Sequence, residues 1–379
     1  MMNNNLTNLY IHIPFCDHIC AYCDFYKRVA KKELITKYII YLEKELILKK
    51  NLLNNINVIY IGGGTPSSIG IDNLQILFKI LQKYINFNNL IEFSIECNPK
   101  DISHELITLF KNNKVNRISL GIQSFNDEKL KLLNRNHNKK IAINSLKILN
   151  EMNFNNINID IMYGLPNDNI DILIDDFSFL KQYNIKHVSC YSLILEPKTI
   201  LYHKYLKGQF EIFDEDKEAN LYYLIQNHLE SLGYKQYEIS NFSLPNYQCH
   251  YNLNTWDNNN YLGIGTSASY YIDNKRYTNI KNIDSYFESL DHNNLLYFEE
   301  EVENKESKMY EEIMLGLRKT TGININNFNN KYNCNIYEIY PNISFLLDNK
   351  FLSLDTNNNL FIPKDKLYIS NTIINKILS

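Results

Sequence analysis

The sequence predicts an α/β fold: a partial (β/α)6 barrel followed by a small α+β, winged-helix-like C-terminal domain. Three observations carry this reading. Six short β-rich runs recur through the first 233 residues, stretches of helical spacing separate them, and the rhythm breaks after Gly233. The runs are Asn8–Ile13, Asn57–Ile61, Ile91–Cys97, Arg117–Gln123, Asn158–Met162 and His187–Leu193. Between the first two, Glu33–Leu53 sets Leu34, Tyr38, Tyr41, Leu42, Leu46 and Leu48 on or near one helical face, and Ile71–Tyr84 repeats the pattern. Strand alternating with helix implies parallel strands joined by right-handed crossovers. Six such units are too few for a closed eight-stranded barrel but fit an open one, whose chemistry sits on the loops after the C-terminal strand ends.

After that first unit, residues 1–233, aromatic and Asn-rich sequence reads as a connecting region over 234–300, with YLGIGTSASYY its most ordered part. A helical stretch at Lys305–Lys319 and a hairpin made of FLSLD and LFIP around TNNN define the last unit, residues 301–379. That unit lacks the basic face of a DNA-binding winged helix and reads as a packing or lid element.

A chain of 379 residues, 45% of them apolar, can bury a sizeable core and is long enough for one large domain and a smaller one. Its net charge of -3 gives no electrostatic reason to expect nucleic acid. The opening MMNNNLTNLY lacks the charged start and apolar middle of a signal peptide, and no later run approaches the roughly 20 apolar residues of a membrane span. A cytoplasmic location is expected. Asparagine, isoleucine, lysine and tyrosine are overused throughout, so the Asn-rich tracts are read as compositional bias without function.

Of seven cysteines, Cys16, Cys20 and Cys23 crowd into LYIHIPFCDHICAYCDF directly after the first strand, while Cys97, Cys190, Cys249 and Cys334 stand singly. This is a metal-site pattern in a reducing compartment rather than a disulfide framework. Three thiolates spaced C-x3-C-x2-C can hold three irons of a [4Fe-4S] cubane and leave the fourth without a protein ligand. The amino and carboxylate groups of S-adenosylmethionine can chelate that iron, and one electron from the cluster then cleaves the sulfonium to a 5′-deoxyadenosyl radical. Zinc, with His18 or His12 as fourth ligand, is the other reading of the spacing.

Gly62, Gly63 and Gly64, then Thr65 and Pro66, follow the second strand, where bare backbone can approach an amino acid head group or simply form a tight turn. Glu96 ends the third strand, from which a carboxylate can bind two ribose hydroxyls or remain a surface charge. Gln123 closes the fourth strand, Arg135 lies in the next helical region and Asp160 in the fifth strand. Polar residues on otherwise apolar strands need partners, which either a polar ligand or the protein can supply.

The pieces LYIHIPFCDHICAYCDF, YIGGGTPS, SIECNP, NRISLGIQSFNDEKLKLLNR, NIDIMYGLP, YQCHYNLNTW and YLGIGTSA, in order from Tyr10 to about Ala268, resemble one radical S-adenosylmethionine (radical SAM) family. It contains oxygen-independent coproporphyrinogen III dehydrogenase and the HemW-type heme chaperones. The resemblance implies a cluster on Cys16, Cys20 and Cys23, with Tyr10 by the cofactor, Tyr22 as an aromatic beside the cluster, and Gly63, Gly64, Thr65 and Glu96 on S-adenosylmethionine. Gln123, Arg135 and Asp160 match positions that serve a second S-adenosylmethionine in the dehydrogenase.

Within the family the chaperone form is favoured. The dehydrogenase has a fourth cysteine where Phe25 stands in CDF, and it carries an extension before the cluster motif, whereas only a few residues precede Tyr10 here. The resemblance thus implies a chaperone with heme as cargo, an acceptor hemoprotein of the respiratory kind, and an electron donor, with decarboxylation of coproporphyrinogen III as the alternative. One departure concerns the H-N-x-x-Y-W stretch of the chaperones, which reads Tyr251 to Trp256 with tyrosine in place of the histidine. Cys249, His250 and Tyr251 are the candidate heme ligands there, or packing residues near the only tryptophan.

Overall fold

The computed structural model describes residues 6–379. Residues 1–5, which open the first expected unit and the MMNNNLTNLY segment, lie outside the described residues. Six parallel strands form the core of the sheet: β1 (Asn8–Ile13), β2 (Val58–Gly63), β3 (Glu92–Cys97), β4 (Arg117–Gln123), β5 (Ile157–Tyr163) and β6 (His187–Ser192). They match the six runs read from the sequence to within two residues at each end.

Period-two alternation explains why they form. Leu9, Ile11, Ile13, Ile59, Ile61, Phe93, Ile95, Ile118, Leu120, Ile122, Ile157, Ile159 and Ile161 join one core cluster with the crossover helices. The residues between them, among them Tyr60, Glu96, Ser119, Asn158 and Asp160, bond to one another across the concave side. An aliphatic outer face and a polar inner face are what a barrel needs when its lumen holds a ligand.

The region expected to connect the two units instead widens the sheet on both flanks. Beyond β6 lie β7 (Lys235–Gln236) and β8 (Asn241–Ser243), with β8 antiparallel to β6. On the other side β9 (Tyr261–Ile264) pairs in parallel with β1, and β10 (Ser269–Ile272), β11 (Lys275–Asn279) and β12 (Tyr297–Val302) continue to the edge. The full order is β12-β11-β10-β9-β1-β2-β3-β4-β5-β6-β8-β7. Strands of two to four residues are too short to give a periodic signal, which is why the sequence pattern did not show β7, β8 and β9.

Glu45, fully buried on the helix Lys32–Leu48, ties this flank to the barrel. Its carboxylate accepts from Lys49 Nζ (2.7 Å), the Gly265 N–H (2.8 Å), Asn279 Nδ2 (2.8 Å) and the Tyr286 hydroxyl (2.6 Å).

The C-terminal unit begins with the helix Lys305–Gly316 and carries a small antiparallel sheet of β13 (Ile323–Asn324), β14 (Ser353–Leu354) and β15 (Asn359–Phe361). The last two are the expected hairpin. This unit packs against the barrel through Thr320 N–H to the Tyr237 carbonyl (3.1 Å) and the Tyr223 hydroxyl to the Asp365 carbonyl (2.9 Å). No helix among the described residues is long and apolar enough to cross a membrane.

Candidate cofactor site

The cysteine loop leaves the C-terminal end of β1. It closes on itself through Cys16 N–H to the Arg28 carbonyl (3.0 Å) and Arg28 N–H to the Pro14 carbonyl (2.7 Å). A second loop braces it: Ala21 N–H donates to the Leu133 carbonyl (3.0 Å), Asn134 Nδ2 to the Ile19 carbonyl (3.1 Å) and His18 Nε2 to the Asn134 carbonyl (2.8 Å). All three cysteines are free thiols, Cys16 buried and the other two partly exposed. Burial pushes the Cys16 thiol up to about 11, so binding iron must displace its proton. The Thr65 hydroxyl lies 3.5 Å from Cys16 Sγ, and Arg135 Nη1 donates to Cys20 Sγ at 3.2 Å.

The two imidazoles read as a fourth zinc ligand already hold protein partners. The His12 ring is engaged at both nitrogens, with the Tyr10 hydroxyl at Nδ1 (3.0 Å) and the Tyr26 carbonyl at Nε2 (2.9 Å), and His18 spends Nε2 on Asn134. Among the described residues no three His, Cys, Asp or Glu side chains converge as a single ion requires. A cubane, whose thiolates each hold a different iron, asks for no such convergence.

Beside the loop a cleft of about 690 Å³, open mouth included, is lined by Cys16, Cys20, Cys23, Tyr22, Gly63, Gly64, Thr65, Glu96, Gln123, Arg135 and Asp160, together with residues taken up below. The glycines are sterically required. Gly63 has φ +117°, and a Cβ on it would lie 2.6 Å from the His12 ring. A Cβ on Gly64 would lie 2.6 Å from the Phe15 carbonyl oxygen, against backbone that cannot swing aside. Gly64→Ala is therefore expected to displace the Phe15–Cys16 backbone at a cost of about 1–3 kcal/mol. Urea unfolding together with the iron content of the reconstituted variant would measure this.

Glu96 is held by the Tyr60 hydroxyl (2.9 Å) and the Gly63 N–H (3.1 Å), and burial pushes its carboxyl up to about 7. Burial likewise raises Asp160 to about 6, where it accepts from Asn158 Nδ2 (2.7 Å). Gln123 sits at φ +68° beyond a register shift in the β4–β5 pairing. A non-glycine residue there is strained, and the shift turns its side chain toward the Tyr191 hydroxyl (2.8 Å). Arg135 donates from Nη2 to Asn98 Oδ1 (2.7 Å) and to the Gly121 carbonyl (2.6 Å), while its buried Nε has no partner.

Asn98, Ser119 and Tyr191 also line this cleft and were not singled out in the sequence. Asn98 links Arg135 to Thr65, its Nδ2 lying 3.3 Å from Thr65 Oγ1. The signal was available: Asn98 stands two residues after Glu96, on the same strand-end loop, and Tyr191 is an inward position of β6.

Tyr10 and the three heme candidates do not line the cleft. The Tyr10 ring lies below it, 6.3 Å from Tyr60 and 6.0 Å from Tyr251. Cys249, His250 and Tyr251 open the helix His250–Trp256 at the opposite end of the strands, where Glu92 at the start of β3 receives the His250 N–H (2.8 Å), the Tyr251 N–H (3.3 Å) and Cys249 Sγ (3.4 Å). Cys249 is fully buried, with its thiol pushed up to about 12, whereas His250 is exposed.

Residues 10–180 match the model of the radical SAM superfamily, and residues 304–358 match that of the HemN C-terminal domain. A protein of Lactococcus lactis named heme chaperone HemW is 37% identical over 347 residues, covering 91% of this chain and 90% of its own. The chain belongs to the HemW family of radical SAM proteins. A Bacillus subtilis protein of the same name is 32% identical over 98% of this chain and 99% of its own. The solved structure of Escherichia coli coproporphyrinogen III oxidase, HemN, described as a radical SAM enzyme, superposes with a TM-score of 0.85 at 19% identity, covering 99% of this chain and 91% of that one. This likeness is one of fold. Membership in the superfamily implies a [4Fe-4S] cluster and S-adenosylmethionine.

Proposed function

We propose that this protein is a heme chaperone, which binds heme alongside a [4Fe-4S] cluster liganded by S-adenosylmethionine and passes the heme to an acceptor hemoprotein of the respiratory kind. The observation that carries this is the similarity over nearly the whole chain to relatives named heme chaperones. An electron donor for the cluster and a cytoplasmic location belong to the same reading, since all seven cysteines are free thiols, as suits a reducing compartment.

The polar inventory of the cleft supports the cofactor pair. Cys16, Cys20 and Cys23 would each hold an iron, with Tyr22 beside them. The bare backbone of Gly63 and Gly64 and the Thr65 hydroxyl suit the amino acid end of S-adenosylmethionine, and Glu96 suits its ribose. The unpartnered Arg135 Nε, together with Gln123 and Asp160, offers further polar anchors. When bound, the pair supplies one-electron chemistry at a sulfonium. Tyr10 would act from beneath, bonded to His12 and packed on the Tyr60 ring that steadies Glu96.

Glu96 makes the reading pH-dependent. Its carboxyl is raised to about 7 in the folded chain, above the ordinary 4.5, so the folded chain keeps the proton through that window. Ribose hydroxyls donate to the ionised form. Affinity for S-adenosylmethionine is therefore expected to fall as pH drops below 7, by up to about tenfold per unit, and Glu96→Gln should weaken binding and flatten the dependence. Calorimetric titration at pH 6, 7 and 8 checks this.

Of the three residues read as heme ligands, Cys249 is committed to Glu92 and the Tyr251 ring packs 5.0 Å from that of Tyr60, which leaves His250 with a ring open to solvent. The functional test is an anaerobic hemin titration of the reconstituted chain, paired with an assay for porphyrin products from coproporphyrinogen III. Saturable binding near one heme per chain without decarboxylated product is expected. Protoporphyrinogen formation would overturn the chaperone reading in favour of the dehydrogenase.

A further inference from the structure

The loop after β6 carries a feature that the cofactor cleft does not use. The short helix Ile200–Leu206 is pinned to the cysteine loop by the Leu201 N–H, which donates to the Ala21 carbonyl at 2.9 Å, between Cys20 and Tyr22. Leu201 is buried and clusters with Ala21, Leu133 and Phe210. Thr199, also buried, caps the helix, its hydroxyl accepting from the Tyr202 N–H at 3.2 Å. The helix is thus fixed in place beside the cluster loop.

Its other side is open. Residues three apart share a helical face, so Ile200, His203 and Leu206 line the side away from Leu201, with His203 in the middle. Ile200 is 45% and Leu206 62% exposed, and the His203 ring is exposed between them. Lys198 and Lys207, both exposed, stand at the two ends of the helix. An imidazole flanked by solvent-facing aliphatic side chains, with ammonium groups beyond, matches an iron porphyrin: a nitrogen ligand for the metal, apolar contact for the macrocycle and cations for its carboxylates.

Resting on the chaperone reading, we propose that an iron porphyrin docks on the exposed face of helix Ile200–Leu206, with His203 as an axial ligand. This site lies at the cluster end of the barrel. His250 lies at the other end of six-residue strands, roughly 20 Å away at about 3.3 Å per residue. One iron cannot bind both, so the two positions are separable by experiment.

The test is a hemin titration of the reconstituted full-length chain, followed by absorbance and low-temperature EPR, on wild type, His203→Ala, the double variant Ile200→Ser with Leu206→Ser, and His250→Ala. Both changes at the helix replace exposed side chains, and unchanged cluster iron content would confirm the fold. Expected results are at least tenfold weaker binding and an altered spectrum for His203→Ala, recovery of the spectrum on adding free imidazole, weaker binding for the double variant, and wild-type behaviour for His250→Ala. Wild-type binding by His203→Ala, or loss confined to His250→Ala, would overturn the site while leaving heme binding intact. No saturable binding by wild type would overturn both the site and the chaperone reading beneath it.

Discussion

Replacing any one of Cys16, Cys20 or Cys23 by alanine is expected to abolish the iron–sulfur cluster, with iron and acid-labile sulfide falling to background and no EPR signal on reduction. The reason is the absence of a substitute. In the proposed site each thiolate would hold a different iron, and of the imidazoles on the same segment His12 is bonded at both ring nitrogens, to Tyr10 and Tyr26, and His18 at Nε2, to Asn134. Cys190→Ala and Cys334→Ala should keep the full cluster, since Cys190 lies on the helix-facing side of β6 and Cys334 lies in the C-terminal unit. Metal analysis of anaerobically purified protein decides the alternative: one zinc per chain and no sulfide would restore the zinc reading.

The second large effect is structural. Glu45→Ala is expected to destabilise the chain by about 3–5 kcal/mol, because it strands the buried Lys49 ammonium and leaves three further donors without their acceptor. Burial already lowers the Lys49 pKa, and without Glu45 nothing on its own helix opposes that shift. Glu45→Gln, which keeps an acceptor oxygen, should cost less. Urea unfolding monitored by circular dichroism gives the difference, and the flank from β9 to β12 should open first in hydrogen exchange.

Much of this molecule could be read from its sequence, for a specific reason. The six central strands alternate aliphatic residues toward the helices with polar ones toward the lumen, a pattern strong enough to place Arg117–Gln123 at both ends as observed. The cleft was legible because its residues sit on loops or on inward positions of the strands: Cys16, Gly63, Thr65, Glu96 and Asp160 all meet there. Asn98 and Tyr191 were missed because asparagine and tyrosine are abundant everywhere in this chain, so neither stood out. The widening of the sheet was hidden in strands of a few residues whose partners lie far away in sequence. No local pattern places Tyr261 opposite Asn8, or the Glu92 carboxylate over the backbone of His250 and Tyr251.

The position of β1 between β2 and β9 sets the order of events during synthesis. β1 is complete once residue 13 has been made, but its second neighbour ends at Ile264. At roughly 5–20 residues per second, the ribosome takes on the order of 10–50 s to deliver it. Throughout that interval the nascent chain presents an unpaired strand edge beside the segment that carries the three cysteines, an invitation to intermolecular pairing. A chain halted at residue 233 would keep that edge open permanently, so the N-terminal half is not expected to be an independent folding unit.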